Sequence, residues 1–356
     1  MSVRVLVVDD SEVCRAALRD MLEADGDITV VGDAETGARE RELVSDLRPD
    51  LVTTGLAVPG ERGLALVEWI MARHPVPVLV VTGQRASDTG PDLVFEAIRR
   101  GALDLVAKPD GTNEAAAAKL RTVARELARV PVVRHVDPTA GPWRPERALP
   151  LAPPRPTSGA TTDRLPAGGR VTRAIGLCAS AGGPSALVAV IRDLPATLPA
   201  AIAVVQHLPV GFTEGFAELL RSATGRPVVV VHEAAPVERG TIYLASDGAH
   251  LVAIAGGFVA RPGPPVDGHC PSATVLLRSL AEVYGPRAAA GILTGIGNDG
   301  AEGLREMREA GGFTVAQDRE SSAVYGMPRA AVLADAAVQV LPLREIAATL
   351  QRAVHA

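Results

Sequence analysis

Apolar residues come in short blocks along this chain, alternating with segments whose apolar positions recur every three or four residues. Val3 to Val8 is a near-continuous apolar run, the pattern of a parallel strand covered on both faces. It ends at Asp9-Asp10, after which Cys14, Ala17, Leu18, Met21 and Leu22 repeat at helical spacing. Ile28 to Val31, Leu51 to Thr54, Pro77 to Thr82 and Leu103 to Val106 supply four more short strands. Helical segments near 36–47, 63–73, 92–100 and 112–128 alternate with them. Five such βα units within residues 1–128 predict a doubly wound parallel sheet whose site lies at the carboxyl ends of the strands.

The pattern then stops. From Pro131 to Arg170 there are nine prolines, scattered arginines and no hydrophobic period, a composition that cannot pack a core and favours extended chain. Residues 129–170 therefore read as a linker, in which Trp143 is a lone aromatic. Periodicity resumes at about 171. A buried strand from Arg173 is followed by a helix from Pro184 to Asp193, a strand from Ala201 to Val205, and a helix after Thr213. Shorter strands follow at Val228 to Val231, Thr241 to Ala245 and His250 to Ala260, the last with a Gly256-Gly257 break. A helix from Ser272 to Tyr284, a strand from Ala288 to Leu293 and further strand and helix segments close residues 171–356 as a three-layer α/β domain.

Composition narrows the classes. In 356 residues, 47% hydrophobic and 22% charged content fits packed domains rather than disorder. A net charge of -5 gives no reason to expect nucleic acid as partner. Cys14, Cys178 and Cys270 are far apart and odd in number, so neither a disulfide framework nor a metal site is expected. No apolar run approaches 20 residues and no signal peptide is evident, so a cytoplasmic protein without membrane insertion is expected.

The stretch Arg173 to Pro184 runs strand, Ser180, glycine pair, helix start. A hydroxyl held beside the unpaired N–H groups of a helix start can attack a carbonyl, and those groups can stabilise an oxyanion. Alternatively, Ser180 only caps a helix at a ligand-binding glycine turn. Two other strand ends add His207 and Asp299, which supply the base and the orienting carboxylate that a serine nucleophile needs. His232, His250 and His269 compete for the base role, but none directly follows a strongly apolar run. The order Ser, His, Asp differs from that of α/β-hydrolases, and neither G-x-S-x-G nor G-x-G-x-x-G spacing is present.

In the first domain the strand ends carry Asp9, Asp10, Thr82 and Lys108, the last followed by Pro109. A carboxylate pair suits a divalent cation, and a hydroxyl with an ammonium suits phosphoryl oxygens. The set resembles a two-component receiver domain. In that pattern the third strand ends in a phosphoacceptor aspartate four residues before a proline, and counting back from Pro59 places Gly55 there. The resemblance thus implies a degenerate receiver that aspartyl phosphorylation does not switch. It makes Mg binding doubtful and leaves Lys108 to pair with Asp10.

Ala-Ser-Ala-Gly-Gly-Pro (179–184), Gln-His-Leu-Pro (206–209) with Gly-Phe-Thr (211–213), Leu-Thr-Gly-Ile-Gly-Asn-Asp-Gly-Ala (293–301) and Tyr-Gly-Met-Pro (325–328) resemble the chemotaxis protein-glutamate methylesterase family, as does the domain order. The resemblance implies Ser180 as nucleophile, His207 as base and Asp299 as orienting carboxylate, with no cofactor. N–H groups at Ala181, Gly182, Ile296 and Gly297 would hold the oxyanion. Methylated glutamates on the cytoplasmic helices of chemoreceptors would be the substrates, often with deamidation of glutamines. A histidine kinase is left open as partner. Ala181 and Thr274 depart from the family, which more often has Thr and Asp there. A non-catalytic adaptor is the rival from another class.

Overall fold

In the computed structural model, residues 2–35, 39–56, 62–83, 91–109, 113–132 and 173–355 are described. The linker from 133 onward, Trp143 and Pro59 lie outside these residues. The first apolar run forms β1 (Val3–Val8), followed by α1 (Glu12–Glu23), whose cap Ser11 accepts a hydrogen bond from the Cys14 amide. Then come β2 (Ile28–Ala34), α2 (Glu40–Leu47), β3 (Leu51–Thr54), α3 (Arg62–Arg73), β4 (Val78–Thr82), α4 (Pro91–Arg99), β5 (Asp104–Ala107) and α5 (Glu114–Leu127). All five strands are parallel, in the order β2-β1-β3-β4-β5. Because side chains alternate along a strand, Val5, Val7, Leu79 and Val81 pack under α1 and α5, while Leu6, Val8, Val78 and Val80 pack under the helices of the opposite face.

The second sheet has seven parallel strands: β6 (Ala174–Ala179), β7 (Ala201–Gln206), β8 (Val228–Val231), β10 (Ile242–Ala245), β13 (Ala288–Ile292), β14 (Phe313–Gln317) and β15 (Gln339–Leu341), ordered β15-β14-β13-β6-β7-β10-β8. One face is covered by α6 (Gly183–Asp193), α7 (Thr213–Thr224) and α11 (Leu343–Ala353), through Leu187, Phe216 and Ile346 among others. The other face is covered by α8 (Ala273–Tyr284), α9 (Ala301–Glu309) and α10 (Met327–Leu333). A small antiparallel sheet, β11 (Ala249–Ile254), β12 (Gly257–Pro262) and β9 (Ala234–Pro236), packs on that side through Leu251 and Phe258. The glycine break seen in sequence is the tight turn between β11 and β12, with Gly256 at φ +81°. β6 sits between β13 and β7, so the chain leaves it in opposite directions at the sheet centre, where α/β folds open a crevice.

The two sheets share packing. Phe95 of α4 and Phe216 of α7 are 5.9 Å apart between ring centroids, and Arg99 donates to the Ser222 hydroxyl at 3.2 Å. Ala181 and Val324, beside the crevice, belong to the same apolar cluster as Leu120, Val123 and Leu127 of α5.

Candidate active site

β6 ends at Ala179 and Ser180 follows, its amide tied to the Thr294 carbonyl at 3.0 Å. The Thr294 hydroxyl donates to the Ala181 carbonyl at 2.8 Å and accepts from the Val324 amide at 2.9 Å. Gln206, the last residue of β7, donates to the Ser180 carbonyl at 2.8 Å. The turn is therefore pinned from both neighbouring strands. Gly182, at φ +73°, bends the chain into α6. Close approach explains Gly295: a Cβ there would lie 2.8 Å from the Ser180 Cβ and 2.9 Å from its amide nitrogen.

β7 delivers His207, whose ring is buried, and whose Nε2 lies 2.8 Å from Asp299 Oδ2. Asp299 is itself buried and accepts three more hydrogen bonds, from the Ser272 hydroxyl (2.8 Å) and the amides of Ala273 (2.7 Å) and Thr274 (3.0 Å). Those groups form the cap and first turn of α8, the positive end of that helix. Burial alone would raise the carboxyl pKa, but the His207 hydrogen bond and charge and the α8 amides outweigh it, and it falls to about 2. An ionised Asp299 only accepts, so Nε2 carries the proton and the lone pair of a neutral ring sits on Nδ1. That Nδ1 is buried and has no hydrogen-bond partner among the described residues. Ser180 and His207 share no hydrogen bond, so only two of the three side chains are joined directly.

The other histidines fall into different classes. His250 is a satisfied core residue: Nδ1 accepts from the Ser272 amide at 3.1 Å and Nε2 donates to the Pro264 carbonyl at 3.0 Å. His232 is exposed near Glu214. His269 stacks on His207, with centroids 3.6 Å apart and planes within 3°. Burial, then the neighbouring His207, pushes its pKa down to about 4, so it is neutral at pH 7. Sequence reasoning passed over His269 as no strand precedes it. Its place just before Pro271-Ser272, the cap of the helix that grips Asp299, is the signal that could have found it. The amides of Ala181, Gly182, Ile296 and Gly297 pair with no group among the described residues, whereas those of Ser180, Gly183 and Gly295 are engaged. Thr274, where the family pattern has Asp, bridges instead: its hydroxyl donates to Asp267 at 2.9 Å and accepts from the Gly300 amide at 2.9 Å.

In the first sheet Asp9, Asp10, Gly55, Thr82 and Lys108 sit at the strand ends. Lys108 Nζ pairs with Asp9 Oδ2 at 2.6 Å, where the sequence led us to expect Asp10; Asp9 is the buried member of the two and Asp10 is exposed. Burial would lower the Lys108 pKa, and Asp9 raises it above its ordinary value. Thr82 is buried, and its carbonyl accepts from the Lys108 amide. A Cβ built on Gly55 would lie 2.9 Å from the same Asp9 Oδ2. Among the described residues, no helix is long and apolar enough to cross a membrane.

A family model described as CheB methylesterase matches residues 175–350, and one described as response regulator receiver domain matches residues 5–119. A Myxococcus xanthus protein called protein-glutamate methylesterase/protein-glutamine glutaminase 4 is 40% identical over 357 residues, covering 99% of this chain and 97% of that protein. A protein-glutamate methylesterase/protein-glutamine glutaminase of Symbiobacterium thermophilum is 39% identical over 362 residues, with 99% and 97% covered. Among solved structures, the CheB methylesterase catalytic domain of Thermotoga maritima is 33% identical, covers 51% of this chain and 97% of its own, and has a TM-score of 0.49.

Proposed function

We propose, for a chain that belongs to the CheB methylesterase family and carries a response regulator receiver domain in front of it, that Ser180 hydrolyses γ-methyl esters of glutamate on chemoreceptor helices. The relatives' names extend this to deamidation of glutamine, which proceeds through the same acyl-enzyme with ammonia leaving. The observation that carries the reading is the His207–Asp299 bond, which leaves an unpartnered lone pair on Nδ1 near the strand end that bears Ser180.

In the first step Nδ1 takes the Ser180 proton as Oγ attacks the ester carbonyl. Asp299 holds the ring in that tautomer and balances the imidazolium, and amides at Ala181, Gly182, Ile296 and Gly297 receive the oxyanion. The imidazolium returns its proton to the departing methoxide, methanol leaves, and His207 then activates water to release the receptor carboxylate. A general base contributes roughly 10²–10⁴ in rate and one oxyanion donor about 10²–10³. No step calls for a metal or cofactor.

The receiver reading is that of a domain not switched by aspartyl phosphorylation. Gly55 offers no carboxylate to phosphorylate, and Asp9 is already engaged by Lys108. With Gly55 at the acceptor position and Asp9 paired with Lys108, the pocket lacks one of the protein oxygens that the receiver pattern offers a divalent cation. Incubating methyl-labelled receptor with the protein tests the whole reading. Release of labelled methanol by the wild type, its loss in Ser180→Ala, and no change on adding a small-molecule phosphodonor are expected. Methanol release by Ser180→Ala would refute the chemistry, and phosphodonor-stimulated release would refute the receiver reading.

A further inference from the structure

We infer that the seam between the receiver and the catalytic domain is a binding site for a small phosphate-bearing anion of nucleotide size. A cavity of about 650 Å³ opens there. Glu126 and Arg129 line it from the end of α5, and the Ile296–Asn298 turn, Arg319, Tyr325 and Arg329 line it from the catalytic side. Among the described residues none of these three arginines makes an ion pair. Elsewhere on the surface Arg125 is held by Asp25 and Asp27, Arg305 by Glu302 and Glu309, and Arg308 by Asp335. Three guanidiniums from two domains thus face one cavity against a single carboxylate, Glu126. Like charges gathered across a seam oppose the packing unless an anion sits between them.

The chemistry of the lining points to the ligand class. Guanidinium forks match phosphoryl oxygens two at a time. Arg319 lies over the Tyr325 ring, 5.0 Å from its centroid, a cation–π contact that holds the guanidinium at the cavity wall. The volume falls in the range of small-molecule sites, which favour domain interfaces, and exceeds what one phosphate fills. Ile296 and Gly297 line it too, so the cavity adjoins the oxyanion turn proposed above, and a protein substrate segment is the rival occupant that the test has to separate.

Such a ligand would bridge Arg129 to Arg319 and Arg329 and so tie the receiver to the catalytic domain. Ala181, next to Ser180, is buried in the apolar cluster that includes Leu127 of α5, so the tied form slows entry of a protein substrate. This consequence rests on the hydrolase reading, but the binding does not.

Calorimetric titration of the full chain with metal-free ATP, and separately with pyrophosphate, tests the site. Saturable binding is expected, tighter for ATP. Arg319→Ala, Arg329→Ala and, from the other domain, Arg129→Ala should each weaken it about tenfold or more, the loss of a charge-assisted hydrogen bond. All three side chains are exposed, so melting temperatures should stay at the wild-type value, and Ser180→Ala should bind ATP as the wild type does. ATP should slow methanol release from a protein substrate in the wild type and leave Arg319→Ala unaffected. Absence of saturable binding at millimolar ATP, or wild-type affinity in all three arginine variants, would overturn the assignment. So would tighter binding of an oligoglutamate peptide than of ATP, which would give the cavity to the protein substrate.

Discussion

Asp299 owes its acidity, against the burial that would raise its pKa, first to the hydrogen bond and charge of His207 and then to the amides of Thr274 and Ala273 at the start of α8. Asp299→Asn keeps the shape but turns an NH₂ group toward Nε2, which then prefers to accept, and the proton moves to Nδ1. Methanol release should fall about 10²–10⁴-fold through this loss of the base, with substrate affinity little changed. The same carboxylate ties stability to pH. Its folded pKa of about 2 lies below the ordinary 3.8, so its contribution is complete above pH 3.8 and is lost as pH falls through about 2. His269 runs likewise for a different reason: half-buried and neutral, with pKa about 4 against 6.5, it disfavours folding as pH drops from 6.5 toward 4, where the unfolded chain takes up the proton first. Denaturant titrations should show His269→Phe, which keeps a ring against His207, losing less stability than the wild type across that interval. An unchanged pH slope would show that this imidazole is not responsible.

Elements set how closely these residues approach one another. The β6 turn and the turn after β13 meet at Gly295, so Gly295→Ala should cost about 1–3 kcal/mol and displace Ser180, which thermal melts and methanol release would register together. Strands with unbroken apolar runs, such as Val3–Val8 and Ala201–Gln206, were legible because both faces of a parallel sheet are covered. β9 was not, since it is three residues long and largely exposed, and it is held by pairing to β12 and by the Tyr243 hydroxyl on its Pro236 carbonyl, neither of which leaves a mark in its own composition. β2 runs to Ala34, beyond the apolar stop at Val31, because Gly32 and Asp33 pair with Leu6 and Val7 after a register shift that composition does not reveal. The placement of Ser180 and His207 directly after β6 and β7 could be read from apolar runs followed by polar residues, whereas Asp299 lies further along, in the loop from β13 to α9. The stacking of His269 on His207 could not, because it joins a loop to a strand end far away in the chain. Nor could the pairing of Lys108 with Asp9, since neighbouring carboxylates differ there only in which way the chain turns them.

At the scale of the molecule the two sheets are coupled by α4 against α7, with Phe95 over Phe216. Such a ring pair is worth about 0.5–1.5 kcal/mol beyond its buried area. Phe95→Leu should therefore shift the molecule toward an open arrangement and speed hydrolysis of a protein substrate about two- to tenfold. Faster hydrogen exchange in α7 would accompany it, and an unchanged rate would mean that this contact does not limit access. The central claim, that His207 activates Ser180 through an Nδ1 set by Asp299, is met most directly by a phosphonate that phosphonylates activated serines. Peptide mapping of the labelled full chain should find the adduct at Ser180, forming at least about 10²-fold more slowly in His207→Gln and Asp299→Asn. An adduct at another residue, or one at Ser180 that forms equally fast in both variants, would contradict it.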